Sequence, residues 1–209
     1  MTNDSDTAGP TQFLPRAEVS ELAQAILDED RAKMGFEMNC SRLWAYHPEV
    51  MNGLFDVMGE VTSRRPFTLR ERGILVTACA SSLGDSYCSL AWGTKLAGEA
   101  GPRFAAGVLS GDDSELSAPE RAMAAWARQV ARDPNGTGPR DVQALRDAGF
   151  DDADIFAMTV YVALRLAFST VNDALGVRPD AELTAVAPAD VLGAVTFGRP
   201  VAAGRPADA

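Results

Sequence analysis

The chain has 209 residues, 46% of them hydrophobic, and a formal net charge of −10 at pH 7. This length allows one domain with a substantial buried core, and the acidity disfavours nucleic acid, which needs a concentrated basic face. No apolar run reaches the roughly 18 residues of a membrane span. Three cysteines, without a charged and then apolar leader, fit a reducing compartment. We therefore expect a soluble cytoplasmic protein without a disulfide framework.

Composition divides the chain into three parts. Residues 1–15 are polar and are predicted to form a disordered N-terminal tail. Residues 177–209 are rich in Ala, Pro and Gly and are predicted to be a C-terminal tail without a core of its own. Residues 16–176 are therefore the predicted folded domain.

Within this domain, apolar residues recur at spacings of three and four, the period of an amphipathic helix. Taken in chain order, the predicted helices are one through residues 19–27, one after Pro48, then 73–83, 86–97, 118–132, 139–147 and one from Asp151 or Asp152 to 175. Ser117 with Glu120 predicts a capping box at the fifth of these. Strand-like alternation is scarce, so the sequence predicts an all-α bundle.

The last predicted helix is apolar around most of its circumference over residues 155–175. Such a helix is either central to a domain or part of a subunit interface. The sequence leaves both possibilities open.

The junction between the third and fourth of these helices carries the most chemical information. Gly84 ends one apolar run, and Asp85 is a predicted N-cap of the next, since its carboxylate can accept from the free backbone N–H groups. Cys88 then falls at the third helical position, where the helix N-terminus favours the thiolate. The charge of Asp85 acts in the opposite direction.

The order of several segments resembles the carboxymuconolactone decarboxylase family, which includes the AhpD-like alkylhydroperoxidases and peroxidase-related proteins. The resemblance spans residues 43–179 and is carried by YHPE at 46–49, LRER at 69–72, YC at 87–88, DVQALRDAGF at 141–150, DDADI at 151–155 and VNDALG at 171–176. It implies an AhpD-like helical bundle that assembles as a homo-oligomer, commonly a trimer or hexamer.

The catalytic motif of that family is degenerate in this chain. Its peroxidases carry C-x-x-C-x-x-x-H at the fourth helix and a relay glutamate on the preceding one. Aligned here, Cys88 takes the second cysteine, whereas Asp85 replaces the first, Trp92 the histidine and Gly73 the glutamate. A disulfide within the motif is therefore impossible, and Cys79, on the preceding helix, does not restore it.

Six side chains are candidates for a site. Cys88, Asp85, His47 and Glu71 are the candidate catalytic groups, with Tyr87 and Trp92 as substrate-binding groups. Each also has a structural interpretation. In the same order, these are a buried thiol, an N-cap, a helix-entry residue and a solvated first-turn acid, and for the last two residues packed aromatic rings. With one histidine and no clustered ligands, we predict no metal site and no cofactor.

Two classes of function follow. The first is an enzyme with a small pocket around Asp85 and Cys88, acting either as a single-cysteine peroxidase or by acid/base chemistry on a small organic acid or lactone, with His47 or Glu71 as partner. The second is a non-catalytic oligomeric scaffold or ligand-binding protein that has lost the redox motif. An enzyme should place a perturbed thiol or carboxylate in a cleft. A scaffold should seal Cys88 and Asp85 in packing.

Overall fold

The computed structural model describes residues 10–203, and this part of the chain is helical without any strand. Its helices are α1 (Glu21–Met34), α2 (Asn39–Trp44), α3 (Pro48–Val61), α4 (Leu69–Leu83), α5 (Ser86–Ala100), α6 (Pro102–Ser110), α7 (Ala118–Arg132), α8 (Pro139–Asp147), α9 (Asp152–Ala174), α10 (Ala181–Val186) and α11 (Ala189–Ala194). A 3₁₀ turn, Pro134–Gly136, joins α7 to α8. The predicted all-α class is confirmed.

The helix starts follow the capping residues of the sequence. Ser117 accepts from the Glu120 backbone N–H while the Glu120 carboxylate accepts from the Ser117 N–H, which is the predicted capping box. Asp85 caps α5 as predicted. The helices α2 and α6 lay outside the prediction, although Pro102 at the start of α6 and Gly111 after its end are ordinary boundary signals.

The core is built around α4, which packs against α5, α6, α7 and α9. The approach of α4 to α5 is close at Gly73, where an added Cβ would lie 2.9 Å from Leu96 Cδ1. A glutamate at this position would therefore have to displace the buried Leu96 side chain. Close packing of α5 on α4 thus favours a glycine at position 73.

The long helix α9 contacts α3, α4 and α7. Its length and composition alone would suffice for a membrane span, but it buries the polar side chains of Arg165, Ser169 and Asn172 among protein groups. This face of α9 is therefore packed within the domain. Its opposite face is exposed at Phe156, Ala163, Ala167, Thr170 and Ala174, and nothing between residues 10 and 203 covers this stripe.

The C-terminal segment differs from its predicted form as a coreless tail. Residues 177–203 form α10 and α11, which pack on α5, and α11 also covers α6. The segment contributes Leu183 and Val191 to the main core, at 2% and 0% exposure. A few well-placed apolar residues are enough to anchor it, and the high Ala, Pro and Gly content hides them in a composition count.

The predicted N-terminal tail falls partly outside the described residues, since residues 1–9 are not among them. The described part lies against the end of α9, where the Phe13 N–H donates to the Leu175 carbonyl at 2.8 Å. The Arg178 N–H likewise donates to the Thr11 carbonyl at 2.9 Å. Residues 10–15 are therefore held by backbone hydrogen bonds.

Candidate functional site

The α4–α5 junction is built from a glycine and a capping aspartate. Gly84 adopts a left-handed conformation with φ of 77° and ends α4. The Asp85 N–H then donates to the Ala80 carbonyl at 3.0 Å, and Asp85 Oδ1 accepts from the Cys88 N–H at 2.9 Å. The junction thus fixes Asp85 and Cys88 next to each other at the start of α5.

Both groups are sealed inside the protein. Asp85 is 0% exposed and Cys88 is 2% exposed. Asp85 Oδ2 makes no hydrogen bond within the described residues. Burial raises the pKa of the Cys88 thiol well above its ordinary value, the charge of Asp85 raises it further, and Arg165 and Ser169 act in the opposite direction. The helix N-terminus therefore does not produce a thiolate at neutral pH, contrary to the expectation from position alone.

Arg165 of α9 lies against Cys88 from the other side. Its Nη2 atom is 3.6 Å from Cys88 Sγ, and its guanidinium carbon lies 5.4 Å from the centroid of the Trp92 ring and 5.2 Å from that of Phe168. The residue is 4% exposed, and its Nε atom has no hydrogen-bond partner within the described residues. A buried cation thus faces the thiol, close to the Trp92 ring.

Tyr87 is locked into the structure on the other side of α5. Its hydroxyl donates to Asp180 Oδ2 at 2.6 Å and accepts from the Cys40 N–H at 3.4 Å. Burial raises the pKa of Tyr87 well above its ordinary value, and Cys40 and Asp180 add to the rise. The hydroxyl therefore ties α5 to α2 and to the C-terminal segment.

The C-terminal segment covers the start of α5. Ser86 Oγ donates to the Arg199 carbonyl at 2.8 Å, and Arg199 Nη2 donates to the Asp173 carbonyl at 2.8 Å. Gly198 has φ of +72°, and a Cβ there would lie 2.4 Å from the Gly84 carbonyl oxygen, so only glycine fits. A cavity of about 380 Å³ remains between this segment and α5, lined in part by Ser86 and Leu90.

His47 and Glu71 lie in environments different from that of Asp85 and Cys88. His47 is exposed at the start of α3 and lines an apolar depression of about 290 Å³ with Trp44 and Leu175. The Glu71 carboxylate accepts from the Thr68 N–H at 2.9 Å and pairs with Arg65 at 2.5 Å. No hydrogen bond or ion pair links either side chain to Asp85 within residues 10–203. The structure brings together Asp85, Tyr87, Cys88 and Trp92 on one helix.

The cysteines and acids of the described chain do not form a metal centre. All three thiols are free and buried. No group of three or more His, Cys, Asp or Glu side chains between residues 10 and 203 is arranged to hold a metal ion.

Solved structures share this architecture. A peroxidase-related protein from Ralstonia eutropha JMP134, described as an alkylhydroperoxidase AhpD core, superposes with a TM-score of 0.75 and 24% identity over 84% of this chain and 96% of its own. A peroxidase-related protein from Silicibacter sp. TM1040 gives a TM-score of 0.73 and 21% identity over 88% and 97%. This chain has the AhpD-like fold.

A functionally described neighbour of the AhpD-like fold is the debrominase Bmp8. It matches with a TM-score of 0.68 and 13% identity over 90% of this chain and 98% of its own. A cysteine-to-alanine variant of Bmp8, solved with 2,3,4-tribromopyrrole, also matches, with a TM-score of 0.66. Neither protein-family models nor curated proteins give a match to this chain.

Sequence reasoning missed Arg165, the cation nearest the Cys88 sulfur. A signal was present, because Arg165 is the one charged residue between Asp154 and Asp173 in an otherwise apolar helix. A lone charge in a buried helix is unfavourable unless a hydrogen bond or an opposite charge compensates it.

Proposed function

We propose that this chain is a ligand-binding protein of the AhpD-like group that no longer runs a dithiol redox cycle. The observation that carries the proposal is the burial of the former motif, with Asp85 at 0% and Cys88 at 2% exposure beneath the C-terminal segment. Of the two predicted classes of function, the non-catalytic scaffold or ligand-binding protein is the one expected to bury this pair.

The chemistry of Cys88 supports the same proposal. Peroxide reduction begins with a thiolate that the oxidant can reach. Burial and the adjacent Asp85 both raise the pKa of Cys88, which disfavours the thiolate. Asp85 itself fills the position of the partner cysteine and is engaged in capping α5. Cys88, which would attack the peroxide, and Asp85, which stands in place of the resolving cysteine, are therefore both unsuited to peroxide reduction.

The fold supports membership of the carboxymuconolactone decarboxylase and AhpD-like family, and with it a homo-oligomer. The exposed stripe of α9 around Phe156 offers a surface for such assembly. The peroxidase activity implied by the names of similar structures depends on a motif that this chain lacks at three of four aligned positions, Gly73, Asp85 and Trp92.

Peroxide consumption by the purified protein tests this proposal. With hydroperoxide and an external thiol as reductant, we expect no turnover above that of Cys88→Ser. Cys79→Ser is a matched control, since Cys79 is 1% exposed and is also a free thiol. Turnover that is lost in Cys88→Ser and kept in Cys79→Ser would overturn the proposal.

A second candidate is single-cysteine chemistry at Cys88, favoured by Arg165 Nη2 at 3.6 Å from Sγ. A guanidinium at this distance stabilises a thiolate once it forms. The cysteine variant of Bmp8 bound to a brominated pyrrole gives an electrophile to test. Release of bromide from 2,3,4-tribromopyrrole in the presence of thiol, dependent on Cys88, would establish this candidate, whereas release unaffected by Cys88→Ser would exclude it.

A further inference from the structure

We infer that Arg72, Lys95 and Arg165 form a binding site for a small organic carboxylate at the edge of the α4, α5 and α9 contact. The inference deepens the proposed binding function and rests on it. It names the class of ligand and the residues that hold it, none of which belongs to the degenerate motif.

The first observation is that Lys95 and Arg165 lie against the same aromatic ring and that Arg72 lies on the neighbouring turn of α4. Lys95 Nζ lies 4.9 Å from the centroid of the Trp92 ring, and the Arg165 guanidinium carbon lies 5.4 Å from the same ring. Arg72 precedes Gly73, and Lys95 precedes Leu96, and at this pair α4 and α5 are in close contact. Desolvation of the ammonium group by its neighbours lowers the pKa of Lys95, and the charges of Arg165 and Arg72 lower it further.

The second observation is that no carboxylate of the described chain pairs with these cations. None of Arg72, Lys95 and Arg165 has an acidic oxygen within 4.0 Å among residues 10–203, although the protein carries ten more negative than positive charges. Asp85 acts on the Cys88 thiol from the other side but forms no ion pair with Arg165. Mutual repulsion among unpaired cations favours an anion that neutralises them.

The third observation is that Arg165 is buried with an open donor. It is 4% exposed, and its Nε atom has no partner in the described part of the chain. A buried guanidinium with an unused N–H is unfavourable unless a ligand completes it. Nη2 carries two N–H groups, so besides its contact with Cys88 Sγ at 3.6 Å it can form with Nε the planar edge that matches the two oxygens of a carboxylate.

The residues of the cluster differ in exposure. Arg72 and Lys95 are exposed, Trp92 is half-buried, and Arg165 is buried. The outer cations would attract the anion from solvent, and Arg165 would fix its carboxylate. Because Cys88 lies directly beyond Arg165 Nη2, a bound acid would sit close to the thiol.

Calorimetric titration of the full chain with sodium benzoate and sodium acetate tests the site, with sodium sulfate as comparison. We expect the carboxylates to bind more tightly than sulfate. Lys95→Gln and Arg72→Gln should each weaken carboxylate binding about tenfold or more, as loss of a charged hydrogen-bond donor does. Arg140→Gln is the matched control, since Arg140 is an exposed cation outside the cluster, and it should leave the affinity unchanged.

Three results would overturn the inference. These are no carboxylate binding at millimolar concentrations, sulfate binding as tightly as the carboxylates, or an equal loss of affinity in Arg140→Gln. A change of sedimentation coefficient in Lys95→Gln and Arg72→Gln, without a change of affinity, would also count against it, because the cations would then pair with acids of a second copy. Peroxide turnover dependent on Cys88 would overturn the proposed function without altering these affinities, so the two failures are distinguishable.

Discussion

The Tyr87 hydroxyl donates to Asp180 Oδ2 at 2.6 Å, and both residues are almost completely buried, at 2% and 0% exposure. This hydrogen bond links α5 to the segment that follows α9. Asp180 Oδ1 also accepts from the Asn39 N–H at 2.9 Å. One buried carboxylate therefore joins α2, α5 and the C-terminal segment.

Replacing Tyr87 by Phe should destabilise the protein. The substitution removes the donor to Asp180 but keeps the ring, so we expect a loss of about 1–3 kcal/mol in the free energy of unfolding. Chemical denaturation measures it. Tyr161→Phe is the control, because Tyr161 is 6% exposed and its hydroxyl makes no hydrogen bond within the described residues. Equal losses in both variants would contradict the proposed role of the Tyr87 hydroxyl.

Substitutions of Asp85 separate its capping role from its charge. Asp85→Ala should cost on the order of 1 kcal/mol of stability, and Asp85→Asn much less, since Asn also caps helices. Because the charge of Asp85 raises the pKa of Cys88, Asp85→Asn should lower that pKa. Ultraviolet absorbance of the thiolate as a function of pH, with Cys88→Ser as background, measures the shift. An unchanged pKa would mean that the charge of Asp85 does not act on the thiol.

The parts of the fold that sequence predicts well are those with a local signal. The boundaries of α7 and α8 are 118–132 and 139–147, as predicted, because Ser117, Pro139 and Gly149 mark them. Asp85 is recognisable as an N-cap for the same reason. Helix period and capping residues are properties of a few neighbouring positions.

Burial of the candidate site depends on residues far away in the sequence. Cys88 is sealed by Arg165, 77 positions later, and the start of α5 is covered through the hydrogen bond from Ser86 to Arg199, 113 positions later. Nothing near Cys88 in sequence indicates either contact. The position of Cys88 at a helix N-terminus predicts a lowered thiol pKa, whereas burial in the tertiary structure raises that pKa.

Asp173 should make stability depend on pH. Burial raises its pKa from 3.8 to about 7, and the charge of Asp85 adds to the rise while Arg199 opposes it. The folded state therefore retains a proton that the unfolded state has lost, and the stability from this group is full below its unfolded pKa and is lost as pH rises through about 7.

The side chain of Asp173→Asn is always neutral. We accordingly expect this variant to become more stable than the natural protein as pH rises from 3.8 to about 7. Since Asp173 is only half-buried, the gain above neutrality should be on the order of 1–3 kcal/mol. Thermal unfolding at several pH values measures it. The exposed Asp56→Asn serves as control, and a parallel pH dependence in Asp173→Asn and the natural protein would refute the assignment.

The exposed face of α9 should mediate self-association. Phe156 is 67% exposed on a helix that is otherwise central to the domain. A charge placed in a packed interface is costly, so Phe156→Glu should shift the oligomer toward monomer in sedimentation velocity. Val186→Glu is the matched control at 65% exposure on α10. A natural protein that sediments as a monomer would remove the basis for this prediction.

Truncating Leu183 tests whether the C-terminal segment belongs to the domain. Leu183 of α10 is 2% exposed and packs into the main core, so Leu183→Ala should cost about 2–5 kcal/mol through lost burial and the resulting cavity. Leu192→Ala removes the same atoms at a position that is 37% exposed and should cost much less. If residues 177–209 were a tail without a core, the two variants would unfold at the same denaturant concentration as the natural protein. A large loss confined to Leu183→Ala would instead show that the segment covering the start of α5 is part of the cooperative fold.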